Sequence, residues 1–150
     1  AYLSIMSLNL IKLCVGAESV EDLEEWIGER LAEARARGLP AEQFHTTRMM
    51  PTRGAELVDG GSLYWVIKGN VQCRQRLIEI RPFTDDDGIS RCHLVLDPTV
   101  VRTHWQPRRA FQGWRYLTAA DAPGDLSANS GGWQVLPPDL RSELANLGLL

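Results

Sequence analysis

A chain of 150 residues with 44% hydrophobic and 23% charged residues can build one domain around a real core, and its composition excludes disordered and fibrous classes. A formal net charge of -3 also excludes a protein that coats nucleic acid by bulk charge. The charge is uneven, however: residues 44–117 hold 11 Lys+Arg against 7 Asp+Glu, and the remainder 5 against 12. A basic middle between acidic ends permits an anionic partner without demanding one.

The apolar stretch 7–15 reads as a first strand, interrupted by Lys12 and too short to span a bilayer. Met6 reads as a natural start, with residues 1–5 an upstream extension. Ser19 then opens a helix, with Asp22 three residues on as an acidic variant of the capping box. Val20, Leu23, Trp26, Ile27, Leu31 and Ala34 share one face of it, and Glu21, Glu25, Glu29 and Glu33 run up another. Gly38 and Pro40 stop it. Residues 44–49 form a second strand, and 51–59 a loop with one helical turn before Gly60-Gly61.

Strands 63–68 and 71–77 flank Gly69-Asn70, which predicts a two-residue type II′ hairpin. That loop sets Val66 opposite Cys73 and Trp65 opposite Arg74, with Val66, Val71 and Cys73 on the core face. After Arg76 the apolar pattern slips by one residue, so a bulge is expected there. The chain turns at 85–88, returns over 89–96, breaks at Asp97-Pro98, and adds strands at 100–106 and 111–117. An irregular segment covers 121–132, and Pro137-Pro138 starts a short C-terminal helix ended by Gly148. These elements predict a single α+β domain over residues 1–150: a curved, mostly antiparallel sheet or small partly open barrel, with helices near both ends.

Motifs for chemistry are sparse. The run 60–69 is neither a P-loop nor a dinucleotide fingerprint, and no cofactor is implied. Asp85-Asp86-Asp87-Gly88 lacks calcium-loop spacing, and the adjacent Cys92 and His93 point to opposite faces of a strand, so no metal site is expected. Cys14, Cys73 and Cys92 are odd in number and lack C-x-x-C spacing, which fits buried thiols in a reducing, cytoplasmic setting. His45-Thr46-Thr47 has the H-x-T form that two-histidine phosphoesterases use twice, but no second copy exists.

Basic and aromatic residues interleave over Trp65, Lys68, Gln72, Arg74 and Arg76, and again over Arg108, Arg109, Trp114 and Arg115. Guanidinium can pair bidentately with phosphate, and indole can stack an unpaired base. The leading expectation is therefore a non-catalytic RNA- or nucleic-acid-binding module using a basic-aromatic sheet face. The alternative is a small enzyme or binding domain for a phosphorylated or otherwise anionic small molecule, with a pocket near His45 and Arg48. No membrane partner is expected.

The runs 10–16 (LIKLCVG), 59–69 (DGGSLYWVIKG), 74–76 (RQR), 96–98 (LDP) and 111–117 (FQGWRYL) together resemble an alphaproteobacterial family of unknown function, number 1489. That resemblance implies a bacterial cytoplasmic protein and no activity. Size, the strand-rich basic middle and the aromatic strands are also similar, at fold level only, to the PUA-like barrels of the ASCH and EVE groups, which hold RNA or a modified base.

Overall fold

The computed structural model describes residues 7–126. Its elements in chain order are β1 (Leu8–Leu13), α1 (Val20–Ala36), β2 (Gln43–Thr47), the single turn α2 (Gly54–Leu57), β3 (Ser62–Ile67), β4 (Asn70–Thr84), β5 (Ser90–Leu96), β6 (Val101–Pro107) and β7 (Trp114–Thr118). The strands form one seven-stranded sheet of order β2-β5-β4-β3-β1-β7, with β6 beside β4. β1 and β3 run parallel and the other pairs antiparallel, so the sheet is mixed. It is open, with β2 and β7 at the two ends of that path. The expected C-terminal helix and residues 1–5 lie outside the described residues.

β4 organises the sheet. Its first half sits between β3 and β6, and its second half pairs with β5. The register slips between Leu77 and Glu79, which makes Ile78 the extra residue of a bulge where the sequence pattern slips. The extra residue bends the strand, so the two halves of the sheet turn toward each other. The inner core shows the result: Leu63, Trp65, Ile67 and Cys73 from one half meet Leu77, Cys92, Leu94 and Leu96 from the other. Val20, Leu23, Ile27 and Leu31 of α1 complete that core. α1 starts where sequence chemistry allows: Ser19 Oγ accepts from Asp22 N–H at 3.1 Å, and Asp22 accepts from Glu18 N–H at 3.0 Å.

A second cluster of Ile11, Tyr64, Val66, Val71 and Leu117 lies on the opposite face of the sheet. All six residues of β3 are therefore buried, and its sequence reads as a nearly unbroken apolar run.

The β3–β4 hairpin corrects the expected register. Ile67 pairs with Asn70, so the turn residues are Lys68 and Gly69, both in the left-handed region at φ 48° and 81°. That is the backbone of a type I′ turn, one residue earlier than Gly69-Asn70 would place it. Two contacts hold it there. Asn70 is drawn into the ladder opposite Pro107 of β6, and Arg108 N–H donates to Gly69 O at 2.8 Å. Gln72 is then the extra residue between Val66↔Val71 and Trp65↔Cys73, its side chain donating to Ile67 O at 2.8 Å. Trp65 therefore opposes Cys73, and Tyr64 opposes Arg74.

Among the described residues no helix is long and apolar enough to cross a membrane.

Candidate functional site

The one-residue shift changes what the basic-aromatic residues can do. Trp65 turns inward, is 3% exposed, and donates its indole N–H to Gln75 Oε1 at 2.9 Å. Trp114 is 5% exposed and donates to Met49 O at 2.7 Å. Both rings are nearly sealed, and the expected pairing of Trp65 with Arg74 does not form. Arg74 instead makes a bidentate pair with Asp125 (2.8 and 2.7 Å) and donates to Ser62 Oγ at 3.0 Å. Gln72 is buried in its bulge. Lys68 reaches Glu18 at 3.6 Å, and Arg115 donates to Gln112 O while lying over the Phe111 ring. Arg76 and Arg109 are exposed and Arg108 half-buried.

The structure gathers a different set. Between the C-terminal end of β1, the middle of α1 and β2 lies a cleft of about 200 Å³. Lys12 enters it from β1. On a strand alternate residues share a face, so Lys12 stands on the inner face with Leu8 and Leu10, one step beyond them. Its strand neighbours are Trp65 and Trp114. Arg30 comes from α1, one turn after Ile27, and His45 from β2. Trp65 forms the floor, with the His45 ring edge-on to it at 5.4 Å. Trp26 and Phe44 form walls and remain 38% and 37% exposed. Trp26 packs close to the chain at Gly16, where an added Cβ would stand 3.3 Å from its ring.

The cleft's electrostatics are one-sided. No carboxylate lines it, and neither Lys12 nor Arg30 has an ion-pair partner among the described residues. Burial holds the Lys12 ammonium below its ordinary pKa. Burial, then the charges of Lys12 and Arg30, push His45 down to about 4, so its imidazole is neutral at pH 7 with one donor and one acceptor nitrogen. Cys14 also lines the cleft, but burial and Asp22 raise its thiol to about 11, which leaves no thiolate nucleophile. Arg48, expected beside His45, is exposed and does not line the cleft.

The floor is held from below. Gln75, fully buried, accepts from Trp65 and donates to Gln43 Oε1 at 2.6 Å and to Asp97 O at 2.9 Å. This chain of amides fixes the indole against β2. Elsewhere His93 stands on the outer face of β5 between Phe44 and Phe83, away from Cys92, which is buried inward. Among the described residues no three His, Cys, Asp or Glu side chains gather as a metal site.

Sequence reading singled out His45 and missed Lys12, Arg30 and the roles of Trp26 and Phe44. One signal for Lys12 was available. A lysine inside an apolar strand that fills a core needs either a partner or an opening, and here it has an opening.

A family model described as Protein of unknown function (DUF1489) matches residues 10–150. The chain belongs to that family. Its match covers every residue that lines the cleft. No curated protein and no solved structure matches the chain.

Proposed function

We propose that the chain is a binding module for a small organic anion that carries a flat or apolar group, held in the cleft of Lys12, Arg30 and His45. The observation that carries this reading is a cleft with an indole floor that Lys12 and Arg30 line, where among the described residues neither cation has an ion-pair partner and no carboxylate is present. A half-buried ammonium is costly to desolvate, and an incoming carboxylate or phosphate offsets that cost. Trp26 and Phe44, the exposed rings of the cleft, supply contact area for the ligand's apolar part.

The His45 chemistry favours binding over acid catalysis. With its pKa at about 4, it holds no proton to give at pH 7 in the empty cleft. An anion between Lys12 and Arg30 cancels their charge on the ring and raises its pKa. Binding therefore takes up protons and tightens as pH falls from 6.5 toward 4.

The test is a titration with phenyl phosphate and with benzoate, read by the NMR shifts of the Trp65 and Trp26 indole N–H groups. Saturable shifts that weaken at least tenfold in Lys12→Met and Arg30→Met support the reading. Absence of binding to either probe at millimolar concentration, or binding indifferent to both substitutions, overturns it.

A further inference from the structure

Resting on that anion-binding reading, we infer that the natural ligand is the end of an extended peptide, laid along the edge of β2 that no described strand covers, with its terminal carboxylate at Lys12 and Arg30. Four observations converge on it. First, β2 is an edge strand: it pairs with β5 on one side and with no other described strand. Second, the cleft does not stop at Phe44. A trough of about 450 Å³ continues it between α1 and β2, and the two hollows share Arg30, Gln43 and Phe44.

Third, the hollows follow the edge of the strand and not one face of it. Side chains on a strand alternate in direction, and Gln43, Phe44 and His45 are buried, exposed and half-buried in turn. One hollow touches Gln43, Phe44 and His45 in succession and the other Glu42, Gln43 and Phe44, so both border the backbone edge, where an edge strand offers N–H and C=O groups. Fourth, the chemistry is graded along the groove. Lys12 stands at the His45 end, Arg30 at the junction of the two hollows, and Ala34, Leu39 and Pro40 line the far end. Glu42 adds no open negative charge there, because Arg81 pairs with it at 2.9 and 3.1 Å.

The direction follows. With its carboxylate at the His45 end, the peptide runs parallel to β2. The span from Glu42 to His45 is three residues of strand, about 10 Å at ~3.3 Å each. Backbone pairing to β2 supplies register, and one apolar side chain near the carboxylate enters between Trp26, Phe44 and Trp65, as in strand-addition recognition elsewhere. This also accounts for the exposure of Trp26, Leu39 and Phe44 along one groove.

The experiment is fluorescence anisotropy on the wild-type chain with a fluorescein-labelled pentapeptide of alternating threonine and valine ending in leucine. It is run beside the same peptide with a C-terminal amide, the same peptide N-methylated at the penultimate residue, and acetyl-leucine and phenyl phosphate as competitors. The free acid is expected to bind at least tenfold more tightly than either modified peptide, and phenyl phosphate is expected to displace it. Equal binding of acid and amide, or of methylated and unmethylated peptide, overturns the inference. Equal affinity of acetyl-leucine and the pentapeptide also overturns it, while the small-anion reading stands. If neither peptide nor phenyl phosphate binds, both readings fall.

Discussion

Gln75→Met is the most informative single change to the fold beneath the cleft. Methionine keeps the length and volume of glutamine, so packing around a fully buried position changes little, but three hydrogen bonds disappear. Their costs are unequal. The Trp65 indole N–H is sealed and finds no other acceptor, which costs about 1–3 kcal/mol. Gln43 lines the cleft and the Asp97 carbonyl lies in a half-exposed turn, so water can replace much of what they lose. Together they add roughly 1 kcal/mol or less, and the apolar thioether recovers a fraction. A net loss of about 2–3 kcal/mol is expected, or roughly 5–10 °C in Tm for a domain of this size. Urea unfolding should show a lower midpoint with an unchanged m-value, because the folded surface is the same. Hydrogen exchange at the Trp65 indole should accelerate in step. A loss under about 0.5 kcal/mol with unchanged indole exchange would refute the amide chain as a structural tie.

Four further outcomes follow from the same geometry. Gly61→Ala should fail to give a stable fold, since a Cβ there would lie 2.1 Å from Leu8 O and 2.3 Å from Leu57 O. Gly28→Ala, in the interior of α1 with nothing within 4 Å, should raise stability by about 0.5–1 kcal/mol in thermal unfolding. For His45 the folded pKa of about 4 lies below the ordinary 6.5, so the unfolded chain binds the proton first as pH falls. Stability should therefore decline between pH 6.5 and 4 by roughly 1 kcal/mol per unit or less, and His45→Gln should flatten that slope in urea titrations across the window. His93, lowered mainly by burial, contributes with the same sign and remains in the variant, so the difference between the two proteins isolates His45. Lys12→Met should stabilise the chain by roughly 1 kcal/mol, because it removes a half-buried charge that has no ion-pair partner among the described residues.

Local chemistry was readable from the sequence wherever one short segment decides the outcome. The slip after Arg76 marks the Ile78 bulge, and adjacency on a strand separates Cys92 from His93. Asp85 in the acidic turn accepts from the N–H groups of Asp87 and Ile89 and pairs with Arg91. What was not readable depends on partners distant in sequence. Gly69-Asn70 is a good turn signal taken alone, and it lost to β6, which pulls Asn70 into the ladder. Burial of β3 on both faces also erased the alternation that would have exposed the error. For the site, His45 stood out by residue type, whereas Lys12, Arg30 and Trp26 meet it only through the parallel β1–β3 pairing and the crossover helix between them.

Lys12, which has no ion-pair partner among the described residues, distinguishes a cleft kept for a ligand from a packing defect. A defect could be closed cheaply: methionine at position 12 would extend the inner apolar face already formed by Leu8 and Leu10. The charge is instead held against Trp65, which a fully buried glutamine locks in place, and it faces a second cation from α1 with no acid between them. Burying the Lys12 charge raises the energy of the empty state, and an anion relieves it. The stability gained in Lys12→Met and the affinity lost in the same variant should therefore appear together. If the substitution gives stability without loss of anion binding, the lysine serves no ligand and the cleft is a flaw in the packing.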